Sequence, residues 1–245
     1  MGIKNRIKNR IKKLFYPNTY SSEAYVDFLL RGGAEIGKGC QVWSPNNTNI
    51  DTQRLHMLHI GDYVKITSNV TILTHDYSRS VLAMYCHENI GEARMTYIGD
   101  NVFIGMGATV LMGTHIGNNS IVGAGAVVSG QFPDGVVIAG NPAKVIFTID
   151  EYVEKRKEKT LEEAVLFATR FLERKKRQPS IDDMTNAFSW LYLPHTKETI
   201  DRYPHLFKLN GVDRNQFVDD FFNSKPVFES FDKFLEYVEQ KKMSS

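Results

Sequence analysis

Ile98, Ile104, Val110, Ile116, Val122 and Val128 stand six residues apart without an error. Gly99, Gly105, Gly117 and Gly123 follow four of them, and small or β-branched residues (Val102, Ala108, Thr114, Ser120, Ala126) come four places after the first five. Ile60, Ile66 and Ile72 keep the same spacing, as do Ile36 and Val42, and 42 to 60 spans three sixes. A six-residue period does not suit an α-helix, with about 3.6 residues per turn. It suits a short strand and a tight turn, with the aliphatic side chain inward and the glycine easing the backbone of the turn. Three such units close a triangular coil, and coils stack at strand spacing, about 4.8 Å. The period does not set the hand of the coil.

The segment "IGDNVFIGMGATVLMGTHIGNNSIVGAGAVVSGQFPDGVVIAGNPAKVI" (98–146) resembles the hexapeptide-repeat acyltransferases, and "AGNPAKVI" is a hallmark of that family. The lead-in "LHIGDYVKITSNVTILTHD" is similar to the O-acetyltransferases of surface polysaccharides and to galactoside and antibiotic acetyltransferases. The resemblance covers roughly residues 30–155. It implies a mainly β fold, a left-handed parallel β-helix, over 32–147. A helical segment is expected at 1–31 and an α-helical extension at 148–245. The implied activity is acetyl-CoA-dependent O-acetylation of a sugar hydroxyl in capsule or lipopolysaccharide assembly, by a cytoplasmic homotrimer with active sites between subunits.

The beat stops after Ile72 and resumes at Ile98, so residues 75–96 are expected to leave the coil as a loop, where binding groups usually sit. His75 is the first residue past the last regular strand. An imidazole, with a reference pKa of ~6.5, can take a proton from a hydroxyl near neutral pH. The resemblance makes His75 the general base for direct attack on the thioester. Asp76 either helps place the acceptor or forms a turn in "HDYS"; Tyr77, Arg79 and Arg94 are further candidates for sugar contact. Counting back from Ile60 as the galactoside enzymes do places Asn47 at an acceptor-binding position, with Asn46 and Asn49 as substitutes. His87 is the rival base. His56 and His59 read as surface residues, with lining of the same cleft as the alternative, and His115 holds a hexad place where side chains often face outward.

For the donor, the resemblance puts Met106 and Ala124 along the pantetheine arm. Ser129 and Gly130 fall where relatives carry Thr-Lys, so the usual cation is missing there. Lys144 in "GNPAK" matches a family Arg or Lys near the CoA phosphates.

Residues 1–13 hold six Lys/Arg and no acid, while the formal net charge of the whole chain is only +2. That balance excludes a nucleic-acid binder. Ile3, Ile7, Ile11 and Leu14 form one helical stripe, so residues 1–14 are a candidate for peripheral contact with the inner membrane face, or a helix capping the first coil. No apolar run reaches the ~20 residues that cross a bilayer. The two cysteines fit a reducing compartment. After Ile146 the spacing turns helical. Thr160 and Glu163 read as a capping box ahead of Val165, Ala168 and Leu172, and 174–180 reads as a linker or solvated turn. Phe231, Leu235 and Val238 form a stripe near the end, and the region is expected to cap the open coil. No metal is expected. The other readings are an amino-sugar N-acetyltransferase, an antibiotic O-acetyltransferase, a hydratase using His75, His87 and His115 on a metal, and a non-catalytic scaffold.

Overall fold

The computed structural model describes residues 12–209 and 211–243, in two compact units, Met1–Tyr152 and Val153–Ser245. The amphipathic stripe of Ile3, Ile7 and Ile11 lies outside the described residues; Leu14 alone of it is described, and it is exposed.

The first unit is a left-handed parallel β-helix with three faces. The first face stacks Glu35–Ile36, Leu58–Ile60, Thr96–Ile98, His115–Ile116 and Gln131–Phe132. The second stacks Gln41–Val42, Lys65–Ile66, Phe103–Ile104, Ile121–Val122 and Val136–Gly140, and Ala143–Thr148 closes it antiparallel. The third stacks Asn49–Ile50, Thr71–Ile72, Thr109–Val110 and Val127–Val128. The repeat aliphatics fill the prism in register, Ile60 on Ile98 and Ile66 on Ile104. Each such side chain contributes about 1.5–3 kcal/mol on burial. Val102, Ala108, Thr114, Ser120 and Ala126 are also fully buried.

Two expectations about the repeat need correction. Val42 belongs to the second face and Ile60 to the first, so the three sixes between them are not one coil. The short helical turns Pro45–Asn47 and Leu55–Met57 occupy that stretch, and matching corners of the early coils lie 24 residues apart (Lys38 to Asp62), against 18 farther on (Asp100 to Asn118). The glycines after the aliphatics serve close approach rather than turn geometry. A Cβ on Gly117 would sit 2.5 Å from the Asp134 amide nitrogen. At this corner a carboxylate or amide of each coil caps the backbone below: Asp62 N–H donates to Asp100 Oδ1, Asp100 N–H to Asn118 Oδ1 and Asn118 N–H to Asp134 Oδ1, each at 2.7 Å. The left-handed positions belong instead to residues such as Asn101 and Asn119.

The excursion from the coil is not all loop, because Arg79–Cys86 form a helix, and Thr96 already belongs to the returning strand.

A single helix, Ile149–Lys175, follows the last strand, so Thr160 lies mid-helix and donates back to the Arg156 carbonyl at 2.7 Å. The reciprocal cap is made earlier. Glu151 accepts from the Thr148 amide at 2.7 Å and its own amide donates to Thr148 Oγ1 at 3.2 Å. The sequence offers the same Thr-x-x-Glu pattern twice, and the chain caps where the sheet ends. The second unit has its own core of Ala164, Ala168, Tyr192, Phe207, Phe221 and Phe234. The terminal stripe of Phe231, Leu235 and Val238 falls on helix Phe231–Met243; of the three only Val238 is buried, and Phe234, outside the stripe, is buried deeper still.

Candidate active site

The corner from the third face to the first carries the candidate site. Strands Asn49–Ile50 and Thr71–Ile72 pair in register, and the Asp51 amide donates to the Ile72 carbonyl at 2.9 Å. Asp51 and the Thr74–His75 pair therefore leave their strands at the same vertex, one coil apart. The Asp51 carboxylate, its side chain 5% exposed, touches His75 Nδ1 through Oδ2. The same oxygen accepts from the Thr74 hydroxyl and, at 3.3 Å, from the Thr74 amide; Oδ1 accepts from the Gln53 amide at 3.0 Å.

Burial pushes the Asp51 carboxyl up, but the bonds from Thr74, Gln53 and His75 outweigh it and hold the group below the usual carboxylate range. Ionised, it is an acceptor only, so His75 Nδ1 is the donor in this contact, and in a neutral ring Nε2 carries the lone pair. The ring is 16% exposed, so part of it reaches solvent. A base with one fixed tautomer can accept a proton from an acceptor hydroxyl.

The returning limb of the excursion is stitched to the departing one beside this ring. His75 forms an antiparallel bridge with Ala93, the Arg94 amide donates to the Thr74 carbonyl at 3.3 Å, and Thr96 Oγ1 donates to the Leu73 carbonyl at 2.6 Å. Arg54 donates from the coil below to the Glu92 carbonyl at 3.0 Å. Arg94 pairs with Glu92 and lies against Gly113.

Ser129 and Gly130 follow strand Val127–Val128 and so lie on the same corner as His75, two coils farther along. Met106 and Ala124 lie on the corner between the second and third faces, where the Gly125 amide donates to the Met106 carbonyl at 2.8 Å. Asn47, in the turn Pro45–Asn47, is on that second corner too and is exposed, as are Asn46 and Asn49. Lys144 is exposed on the closing hairpin, opposite Ala139. A single chain therefore does not bring Asn47, Met106 or Ala124 to His75's corner.

Asp76 is a turn former: its Oδ1 accepts from the Ser78 amide at 2.9 Å and the Ser78 hydroxyl at 2.6 Å. Those two bonds hold its carboxyl below the usual range. Tyr77 is exposed beneath Arg79, whose guanidinium lies 5.1 Å from the ring centre. His87 ends the excursion's helix and is exposed. His59, Tyr97 and His115 form an unbroken ring stack on the first face, with centroids 4.4 and 4.5 Å apart. Among the described residues no group of three or more His, Cys, Asp or Glu is arranged to hold a metal ion.

Asp51, Thr74 and Arg54 escaped the sequence reading because their segment breaks the repeat. The available signal was an acid, Asp51, directly after Ile50, the aliphatic residue that pairs with Ile72.

Comparison with known proteins bears on what such a corner does. The family described as bacterial transferase hexapeptide (six repeats) matches residues 95–130. Protein CapG of Staphylococcus aureus is 40% identical over 129 residues, covering 53% of this chain and 74% of that protein. The chain belongs to the hexapeptide-repeat transferases. Another relative of this transferase is the galactoside O-acetyltransferase of Lactococcus lactis subsp. lactis (strain IL1403), 29% identical over 154 residues, covering 55% and 72% of the two chains. A galactoside acetyltransferase solved in complex with coenzyme A is 25% identical, covers 62% of this chain and 84% of that one, and superposes with a TM-score of 0.44. The transferase is an enzyme of the acyltransferase class.

Proposed function

We propose that the enzyme transfers an acetyl group from acetyl-CoA to a sugar hydroxyl, with His75 as general base. The observation that carries this reading is the buried Asp51 carboxylate on His75 Nδ1, which leaves Nε2 as the basic nitrogen. The acceptor oxygen bonds to the thioester carbonyl carbon while its proton passes to Nε2. Collapse of the tetrahedral intermediate breaks the C–S bond, and the departing thiolate recovers that proton as free CoA. No acyl-enzyme is involved.

The donor finds a fitting surface in part. At Gly107 and Gly125, beside Met106 and Ala124, a Cβ would meet nothing within 4 Å, so this corner is open to an extended pantetheine arm. Lys144 offers one cation for the phosphates, and Ser129 with Gly130 offers none. Asn47 contributes to the acceptor side together with Tyr77 and with the Asp76 oxygen left free of Ser78.

Because these residues divide between two corners of one prism, the complete site takes one corner from each of two subunits in a closed homotrimer. A cyclic, heterologous interface joins unlike surfaces in this way. The sugar acceptor is supported by the galactoside-acetylating relative, and surface-polysaccharide assembly by the likeness of the 58–76 segment. Free Cys40 and Cys86 fit a cytoplasmic setting. Among the described residues no helix is long and apolar enough to cross a membrane.

Incubation with acetyl-CoA and a panel of sugars and glycan fragments tests the reading. Sugar-dependent release of free thiol, with product mass raised by one acetyl group and the ester cleaved by mild alkali, is the expected result. An alkali-stable amide product would reassign the acceptor to an amino sugar.

A further inference from the structure

The second unit contains an apolar groove that the transfer reaction does not use. Helix Ile149–Lys175 and the turn Asn186–Leu191 line an open groove of about 540 Å³. Leu166, Phe167, Phe171 and Phe188 form its floor, and Phe167 and Phe188 pack at 5.9 Å between ring centres. Leu166 is 55% exposed, so a large aliphatic side chain stands open to solvent in the floor.

The rim is cationic. Arg170, Arg174 and Lys175 line one end, and the one acid of the lining, Glu163, is held by the two terminal guanidinium nitrogens of Arg156 at 2.8 and 2.6 Å. Arg170 is paired with Glu173 at 2.9 Å, whereas Arg174 and Lys175 have no carboxylate partner among the described residues. Cations in the last turn of a helix complement its dipole. That effect does not explain an exposed leucine among half-buried phenylalanines beside them.

We infer that this groove binds an anionic amphiphile, one aliphatic chain carrying a phosphate monoester. The volume lies in the small-molecule range, ~300–1,000 Å³. The floor takes the chain, and two uncommitted cations at one end match a head group of roughly −1.5 to −2 charge. The arginine fork can hold two phosphate oxygens at once.

Calorimetric titration of the full chain with monomeric dodecyl phosphate, below its micellar concentration, tests the assignment. One saturable site per chain is expected, weakened at least ~10-fold by Arg174→Ser with Lys175→Ser and, separately, by Leu166→Asp. All three positions are exposed, and circular dichroism would verify that the helix persists. Ethyl phosphate and a neutral dodecyl glycol ether should each bind at least ~10-fold more weakly than dodecyl phosphate. The assignment is overturned if the neutral ether binds as well, if the variants bind like wild type, or if no saturable heat appears. Retention on anionic phospholipid vesicles without binding of the monomeric phosphate would also overturn it, giving the cations to a bilayer surface. None of these readouts depends on acetyl transfer.

Discussion

Asp51 has no substrate-facing atom to spare: one oxygen serves Thr74 and His75, and the other serves Gln53. In the proposed reaction its place is therefore to position His75. Asp51→Asn replaces an obligate acceptor with an amide that can present N–H to Nδ1, allowing the wrong tautomer. A fall in kcat of about 10²-fold is expected, with little change in donor KM, read from steady-state thiol release. A parallel fall in donor affinity would mean that the corner itself had collapsed. The same residue gives a pH prediction. Its folded-state pKa lies below the unfolded one, so ionised Asp51 adds stability above the ordinary carboxylate value of ~3.9. That contribution is lost as pH falls through the depressed folded value. Urea unfolding should show Asp51→Asn less stable than wild type at pH 7, with the difference closing on acidification below pH ~4; a constant difference would remove the linkage. In the second unit, the Tyr192 hydroxyl is fully buried and has no hydrogen-bond partner among the described residues. Tyr192→Phe should leave stability unchanged or raise it by about 1 kcal/mol. A loss of comparable size would show that the hydroxyl is satisfied.

At the scale of the elements, coil stacking depends on glycines that admit the next coil's backbone. Gly117→Ala would force a Cβ to within 2.5 Å of two backbone atoms of the following coil, which cannot retreat as a flexible side chain would. A destabilisation of about 1–3 kcal/mol is expected in chemical denaturation, and full stability would mean that coil spacing gives way more readily than close packing implies. This is also where the sequence could and could not be read. The beat from Ile98 to Val128 revealed the prism, because an inward aliphatic every sixth residue has few other uses. The same beat misled between Val42 and Ile60, where two helical turns added residues in a number divisible by six. His75 was legible as the point where the beat fails. Its partner was not, since the pairing of Asp51 with His75 follows from the register of Asn49 on Thr71, and that register spans an irregular coil. The capping box was legible as a pattern, but its position depended on where the closing hairpin ended. Thr148, not Thr160, had its backbone N–H free to be capped.

The residues proposed for the site divide between two corners of one prism, and the proposed shared site would make catalysis depend on assembly. Sedimentation should find a species of three 27.9 kDa chains, and specific activity should fall when dilution dissociates it; a fully active monomer would remove the shared site. The most direct measurement is acceptor-dependent release of CoA thiol by wild type and His75→Ala, with donor binding titrated in both proteins. A loss of at least ~100-fold in turnover with donor affinity retained is expected if His75 takes the acceptor's proton. Equal turnover in the two proteins would show that the Asp51–His75 pair is not the base and would turn attention to His87.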